Sequence, residues 1–388
     1  MRRLPALAAW KLGMTNPQKM LRALIALPSV NPAFLPAGDR RAGEQRVAQW
    51  VASCASGAGL SVSQPSTACG RSNVLARLSP RGKVRHRILL APHMDTVNGA
   101  DHQFTPRARV GRMYGRGACD TKASIAAMLG ALLAIARSGP RPGHTEIVFA
   151  GLVDEENAQA GSRALVASGL KADLAIVGEP TRLQLVTAHK GSLWLKFETR
   201  GKAAHGARPE LGRNAVHAMS RVVDFLETRY SSWLSRLHHP LLGCATVSVG
   251  VISGGTQANI VPDYCSIMVD RRTLPGETEL GVGREIRSLL RQNGLKASLA
   301  NGKLAPCEPM ETNPRLPWVR QFLDILGQAK PAGVNYFCDA AVLARGGIPS
   351  VVFGPGDIAQ AHTADEWVSL KSLDRAEALL KRFLESLP

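Results

Sequence analysis

Aromatic residues are scarce in this 388-residue chain, at 5%, and no basic run is interleaved with them. That scarcity argues against nucleic-acid binding, which stacks bases on aromatic rings inside a basic groove. Acidic residues are also few, 30 against 48 Lys and Arg, for a formal net charge of +18. The basic residues are mostly Arg and are scattered, so they read as a solvated surface whose field favours anionic small molecules. No apolar stretch is long enough to span a bilayer. The seven cysteines are an odd number and include no Cys-x-x-Cys pair, which predicts reduced thiols and no zinc-finger site. The start, Met1 to Lys11, faintly resembles a signal peptide, but its apolar part is short and no clear cleavage site follows. Met14 offers an alternative start, with Thr15, Asn16 and Pro17 as cap and first turn of a helix to about residue 27. A cytoplasmic protein is expected, with neither a membrane nor a nucleic acid as partner.

The length allows two domains with large cores, and neither internal repeats nor low-complexity segments occur. The first half alternates helix and strand patterns. Helices are predicted around 43–58 and over 123–138, and strands over 84–90, 146–153 and 174–177. Such alternation argues for an α/β sheet with helices on both faces, where ligands bind beyond the carboxyl ends of the strands. The middle reads differently. Strand 193–199, helix 213–228, strands 245–252 and 264–270, helix 279–293 and strand 295–300 follow the β-α-β-β-α-β, ferredoxin-like order. An inserted domain over 188–302 is therefore expected within a catalytic domain made of 1–187 and 303–388. The last part returns to α/β, with helix 316–328, strand 350–353 and helix 372–387.

The chemistry concentrates at predicted strand ends. Glu155 and Glu156 close the apolar run 146–153, and two adjacent carboxylates are costly there unless a cation or solvent receives them. His93 and Asp95 follow strand 84–90. They could share one metal, or Asp95 could orient the His93 imidazole. Asp120 closes a glycine-rich approach from Gly115; as a bland alternative it is a helix N-cap. Glu179 could be a loop residue before Pro180, and His362 a surface-loop histidine. Taken together, five or six ligand-type residues on one sheet domain match what a dinuclear site needs: imidazoles, terminal carboxylates and one bridging carboxylate. Ligation by nitrogen and oxygen suits zinc, cobalt or manganese. Cys119 reads as a packing residue, His238 and His239 as a surface pair in a loop, and His217 as structural.

These motifs resemble the dinuclear zinc metallopeptidases and amidohydrolases that include acetylornithine deacetylase, succinyl-diaminopimelate desuccinylase, glutamate carboxypeptidase and aminoacylase. The matching stretches are Ala91-Pro-His-Met-Asp-Thr-Val97, Gly115-Arg-Gly-Ala-Cys-Asp-Thr-Lys122, Asp154-Glu-Glu156, Val177-Gly-Glu-Pro-Thr181, His189-Lys-Gly191, Gly201-Lys-Ala-Ala-His205, Asn259-Ile-Val-Pro262, Asp270-Arg-Arg272 and Ala361-His-Thr363. They run in family order over nearly the whole chain.

The resemblance implies that His93 and Glu179 hold one metal, Glu156 and His362 the other, and that Asp120 bridges them. It implies that Asp95 orients His93, and that Glu155 is the general base, passing a proton from the attacking water to the leaving nitrogen. It further implies that His205 reaches the substrate carbonyl oxygen, often from a partner subunit, and that Arg272 forks a substrate carboxylate with Asn259 nearby. A homodimer through the inserted domain and a small carboxylate-bearing substrate follow from the same resemblance.

The departures touch no ligand. Pro92 and Asn98 replace a common Gly and Pro, Thr121-Lys-Ala-Ser124 replaces Met-Lys-Gly, and Cys338-Asp-Ala340 replaces Thr-Asp-Ala or Ser-Asp-Ala. Glu179, rather than Asp, is similar to the deacylase and carboxypeptidase branches. The expected activity is hydrolysis of an N-acyl amino acid, with a glutamate-carboxypeptidase-like peptidase as the alternative. A non-catalytic binding protein on the same scaffold is the reading from another class.

Overall fold

The computed structural model describes residues 16–302 and 307–388. The readings made on Met1 to Lys11, on Met14 and on Thr15 lie outside the described residues. The chain divides into two compact units, one of residues up to 187, 312–332 and 338–388, the other of 188–311 and 333–337.

The first unit is built on a mixed sheet. Strands Thr145–Gly151, His86–Pro92, Leu174–Gly178 and Ser350–Val352 lie side by side in that order and run parallel. Antiparallel strands extend it: Val74–Leu78 beside Thr145–Gly151, then Ser61–Ser63, and Val186–His189 beside Ser350–Val352. The four parallel strands are apolar along almost their whole length, as a sheet covered on both faces requires. Helix Lys122–Ser138 is apolar all round and buried against that sheet, the pattern of a core helix rather than a surface one. Helices Pro17–Ile25 and Leu370–Glu385 cover it, each with one apolar stripe. Asn16 caps the first by accepting from Lys19 N–H at 3.0 Å, and Ser369 caps the second.

Most predicted elements stand, with ends moved by a few residues. The strand 146–153 ends at Gly151, because Leu152 forms a single bridge to His93 and the chain then turns. Short strands Arg107–Arg109, Arg112–Tyr114 and Trp367–Ser369 form a small antiparallel sheet that the sequence patterns do not signal at three residues each. Among the described residues, no helix is long and apolar enough to cross a membrane.

The second unit contains a four-stranded antiparallel sheet in the order Thr246–Gly254, Tyr264–Thr273, Gly191–Arg200, Ser298–Asn301. Helix Ala215–Phe225 follows the first strand in sequence and Glu279–Gln292 the third. This is the strand order of a β-α-β-β-α-β fold. Helix Ala215–Phe225 starts after the Asn214 cap and continues through a π turn, Leu226–Tyr230. His238 and His239 do not lie in a loop: they form a short hairpin strand against Gly243–Cys244, and His239 Nε2 stands 3.2 Å from Glu311. His217 is exposed on its helix rather than packed.

Candidate metal centre

Three neighbouring parallel strands end on the same edge of the sheet, so the residues just beyond them converge. His93 follows His86–Pro92, Glu179 follows Leu174–Gly178, and Glu155 and Glu156 lie on the turn after Thr145–Gly151. Asp120 sits before helix Lys122–Ser138, joined to Thr121 by a cis peptide bond. His362 comes from the loop between the turn Ile358–Gln360 and strand Trp367–Ser369. The side chains of all of these except His362 are buried, and His362 has half of its side chain exposed.

Asp120 lies between the two imidazoles. Its Oδ1 is 3.1 Å from His93 Nε2 and its Oδ2 is 3.3 Å from His362 Nε2. Glu179 approaches the same His93 nitrogen at 3.7 Å, and Glu156 approaches the same His362 nitrogen at 3.2 Å. Two ligands on one tetrahedral ion, each at about 2.1 Å, stand roughly 3.4 Å apart, so these separations suit shared cations. Ligand atoms of His93, Asp120 and Glu156, and separately of His93, Glu155 and Glu179, lie within 4.8 Å of one another. Glu155 thus stands beside His93 and Glu179, close enough for either proton transfer or ligation.

The electrostatics describe a surplus of negative charge. Burial pushes Glu155 and Glu179 well above the ordinary carboxylate range, and neighbouring carboxylates push the same way. Burial also raises Glu156, with Asp120 adding to it. Burial opposes the charge on His93, yet Asp120, Asp95 and Glu179 hold its pKa well above normal. Hydrogen bonds to Asp120 and Glu156 raise His362 to about 10. Buried carboxylates that resist ionisation around two imidazoles that attract protons are a site suited to divalent cations. The donor set of nitrogen and oxygen fits zinc, cobalt or manganese.

Asp95 does more than its spacing from His93 suggests. His93 Nδ1 lies 3.0 Å from the Asp95 carbonyl oxygen and 3.4 Å from its Oδ1, and the two carboxylate oxygens accept the N–H groups of Glu155 at 3.1 Å and Glu156 at 3.2 Å. One buried residue thus meets the imidazole through its carbonyl and the backbone of the doublet through its carboxylate. Several residues at this edge take parts that the sequence did not assign to them. Glu366 accepts N–H groups from the turn that ends at Asp120. Asp339, raised to about 7 by burial, accepts from Ser162 Oγ at 2.5 Å. Lys122 is fully buried and donates to Leu24 O at 3.0 Å and Leu27 O at 2.7 Å, which satisfies carbonyls at the end of the first helix. Lys122 and Asp339 lie within the motif stretches and Glu366 four residues past His362, but local spacing shows none of these contacts. The Cys119 thiol is buried and donates to Asp357 O at 3.3 Å.

His205, Asn259 and Arg272 belong to the second unit. His205 pairs across a two-residue ladder with Ile260, and Gly206 N–H donates to Asn259 O at 2.7 Å, so His205 and Asn259 are neighbours on an exposed surface. Strand alternation separates the two arginines of Asp270-Arg-Arg272. Arg271 is fully buried on Glu277 and Tyr230. Arg272 is half-buried, and Asp270 holds its Nε at 2.8 Å.

An α/β sheet whose carboxyl edge gathers two imidazoles and several carboxylates around one shared aspartate is a candidate metal centre of a hydrolase. The chain belongs to the peptidase family M20/M25/M40, which it matches over residues 89–386. It is 33% identical over 322 residues to an acetylornithine deacetylase of Myxococcus xanthus, covering 80% of this chain and 82% of that one. It is 30% identical over 387 residues to the acetylornithine deacetylase of Proteus mirabilis, covering 95% and 96%. A dinuclear metal-binding M20 peptidase of Bacillus subtilis shares the fold, with a TM-score of 0.70 at 14% identity over 97% of this chain and 98% of that one.

Proposed function

We propose that the protein is an N-acyl-amino-acid deacylase of the acetylornithine deacetylase or desuccinylase kind, cleaving an amide beside a free carboxylate. The observation that supports the hydrolytic centre is Asp120, whose two oxygens face different imidazoles at 3.1 and 3.3 Å, as a bridging ligand's would. His93 and Glu179 would hold one divalent ion, probed first as zinc, and Glu156 and His362 the other. Bound there, the two ions would activate a water and polarise the scissile carbonyl.

Glu155 takes the proton of the attacking water and delivers it to the leaving nitrogen. The family resemblance gives it as base, and the pairing of the other groups supports that reading over Glu155 as a ligand beside His93 and Glu179. Each imidazole already has a carboxylate partner and a share of Asp120, which leaves Glu155 free beside His93. Asp95 fixes both the imidazole and the backbone of the doublet. In the second unit we assign His205 to the substrate carbonyl oxygen, and Arg272, oriented by Asp270, to the substrate carboxylate with Asn259 beside it. The second unit as an inserted domain that forms a homodimer belongs to the same proposal. The relatives named acetylornithine deacetylase, at 30% identity and above over most of the chain, support the deacylase branch.

The test is a panel of N-acetyl, N-succinyl and N-formyl amino acids and short peptides, measured with zinc and with cobalt. N-acetylornithine is expected among the best substrates by kcat/KM. Cleavage of peptides alone, with every N-acyl amino acid inert, would replace the deacylase with a peptidase.

A further inference from the structure

The turn carrying the doublet is held from its far side by residues with no place in the reaction scheme. Asp154 stands at φ 68°, a left-handed conformation that a residue with a side chain keeps only when its surroundings hold it there. Its N–H donates to Glu44 Oε1 at 3.1 Å. Its carbonyl accepts from Ala158 N–H at 3.2 Å and Gln159 N–H at 2.6 Å. Its Oδ1 accepts from Asn31 Nδ2 at 2.9 Å and from Arg71 Nη2. Arg71 closes the ring, since its Nη1 donates to the same Glu44 oxygen at 2.6 Å, while its Nε donates to Cys69 Sγ at 3.3 Å. A planar guanidinium can hold two acids in fixed directions, which an ammonium cannot.

Asn31 works from the other side. Its Oδ1 accepts Ala33 N–H at 3.1 Å, which turns both hydrogens of Nδ2 toward acids. One goes to Asp154 and the other to Asp95 Oδ2 at 2.7 Å. Asp95 in turn holds the N–H groups of Glu155 and Glu156. The N–H groups of three consecutive residues are thus held by Glu44 and Asp95, while Arg71 and Asn31 hold those two acids and the Asp154 carboxylate.

We propose that Arg71, together with Asn31, is a positioning residue of the hydrolase, clamping Asp154 in its left-handed turn so that Glu155 and Glu156 face the centre in fixed directions. The proposal rests on the reading of Glu155 as base and Glu156 as ligand. A purely structural ion pair in this place would change stability and leave the chemistry of the folded enzyme alone.

Arg71→Met and Arg71→Lys separate the two roles. In zinc-loaded enzyme, Arg71→Met is expected to lower kcat about 10–100-fold, with KM changed by less than about threefold. Chelator competition, run without substrate, should find one of the two zinc equivalents weakened about 10–100-fold. Arg71→Lys keeps the charge but not the fork, and should lose about tenfold in kcat. Wild-type kcat and wild-type affinity for both zinc ions in the folded variants would overturn the proposal, however far their melting temperatures fall. If Arg71→Met does not fold, Arg71→Lys decides on the same two readouts. The zinc measurement also keeps two failures apart. Wild-type protein inert toward every N-acyl amino acid would sink the deacylase reading, while zinc affinity alone would still judge the clamp.

Discussion

Glu366 accepts the backbone N–H of Asp120 at 3.0 Å. The same oxygen takes Cys119 N–H at 2.8 Å, and the other takes Gly117 N–H at 2.9 Å and Arg116 Nη1 at 2.8 Å. A single buried carboxylate therefore shapes the turn that aims Asp120 between the imidazoles. Glu366→Gln puts an amide NH2, which cannot accept, against donors, and leaves buried Arg116 without its counter-charge. The variant should lose about 3–5 kcal/mol in urea unfolding and bind zinc about 10–100-fold more weakly. Unchanged zinc affinity would mean that Asp120 is placed without help from Glu366.

The doublet makes a directional pair of predictions. Glu155→Gln should keep near two equivalents of metal and lower kcat by about 10²–10⁴-fold. Glu156→Gln should lose about one equivalent, because it removes the carboxylate 3.2 Å from His362. Metal analysis beside turnover on the best N-acyl substrate checks both. The reverse pattern, with metal lost in Glu155→Gln and kept in Glu156→Gln, would exchange the two roles.

His93, Asp95, Asp120, Glu155, Glu156 and Glu179 could be picked out because each stands in a short motif beyond a patterned strand or before an apolar helix, whereas His362, in a loop before a three-residue strand, was picked out only through the family resemblance. Their supports were not. Arg71 meets Asp154 across 83 residues, Asn31 meets it across 123, and Glu366 meets Asp120 across 246. Such partners have no local spacing, since packing alone brings them together. The small sheet that carries Glu366 to the turn was missed for a related reason. Three-residue strands are too short for alternation to stand out from chance. In strand Tyr264–Thr273, alternation alone says that Arg271 and Arg272 face opposite ways, but only packing says which is buried.

His189 predicts an acid limit on stability. The imidazole is fully buried with its Nε2 unpartnered, and burial pushes its pKa down to about 4. An unfolded chain takes up the proton near 6.5, so between those values the unfolded state binds more protons than the folded one. The stabilisation is complete above about pH 6.5 and is lost as the pH falls through 4. By pH 5 the loss from this group is about 2 kcal/mol. Urea unfolding at pH 7.5 and pH 5 should show it, and His189→Leu should shrink the difference by about that amount. An equal drop in the variant would show that other groups set the acid limit.

Gly161 lets the helix Ala160–Ala167 approach the turn that carries the doublet. Its N–H donates to Val153 O at 2.9 Å. A Cβ at this position would lie 2.5 Å from Val153 N, 2.6 Å from Val153 O and 2.6 Å from Asn73 Oδ1. Two of those atoms are backbone and cannot rotate away, and Asn73 Oδ1 is itself engaged by Val153 N–H at 3.1 Å. Gly161→Ala must therefore move either the helix or residue 153, which directly precedes the left-handed Asp154. The first outcome costs packing alone, about 1–3 kcal/mol. The second also shifts Glu155 and Glu156. Because Asp154 is bonded to Arg71, Asn31 and Glu44 while the helix is only eight residues long, the helix should give way. Gly161→Ala is thus expected to lower stability by about 1–3 kcal/mol while kcat stays within about threefold of wild type. A tenfold fall in kcat with little change in unfolding would mean that the turn is softer than its hydrogen bonds imply.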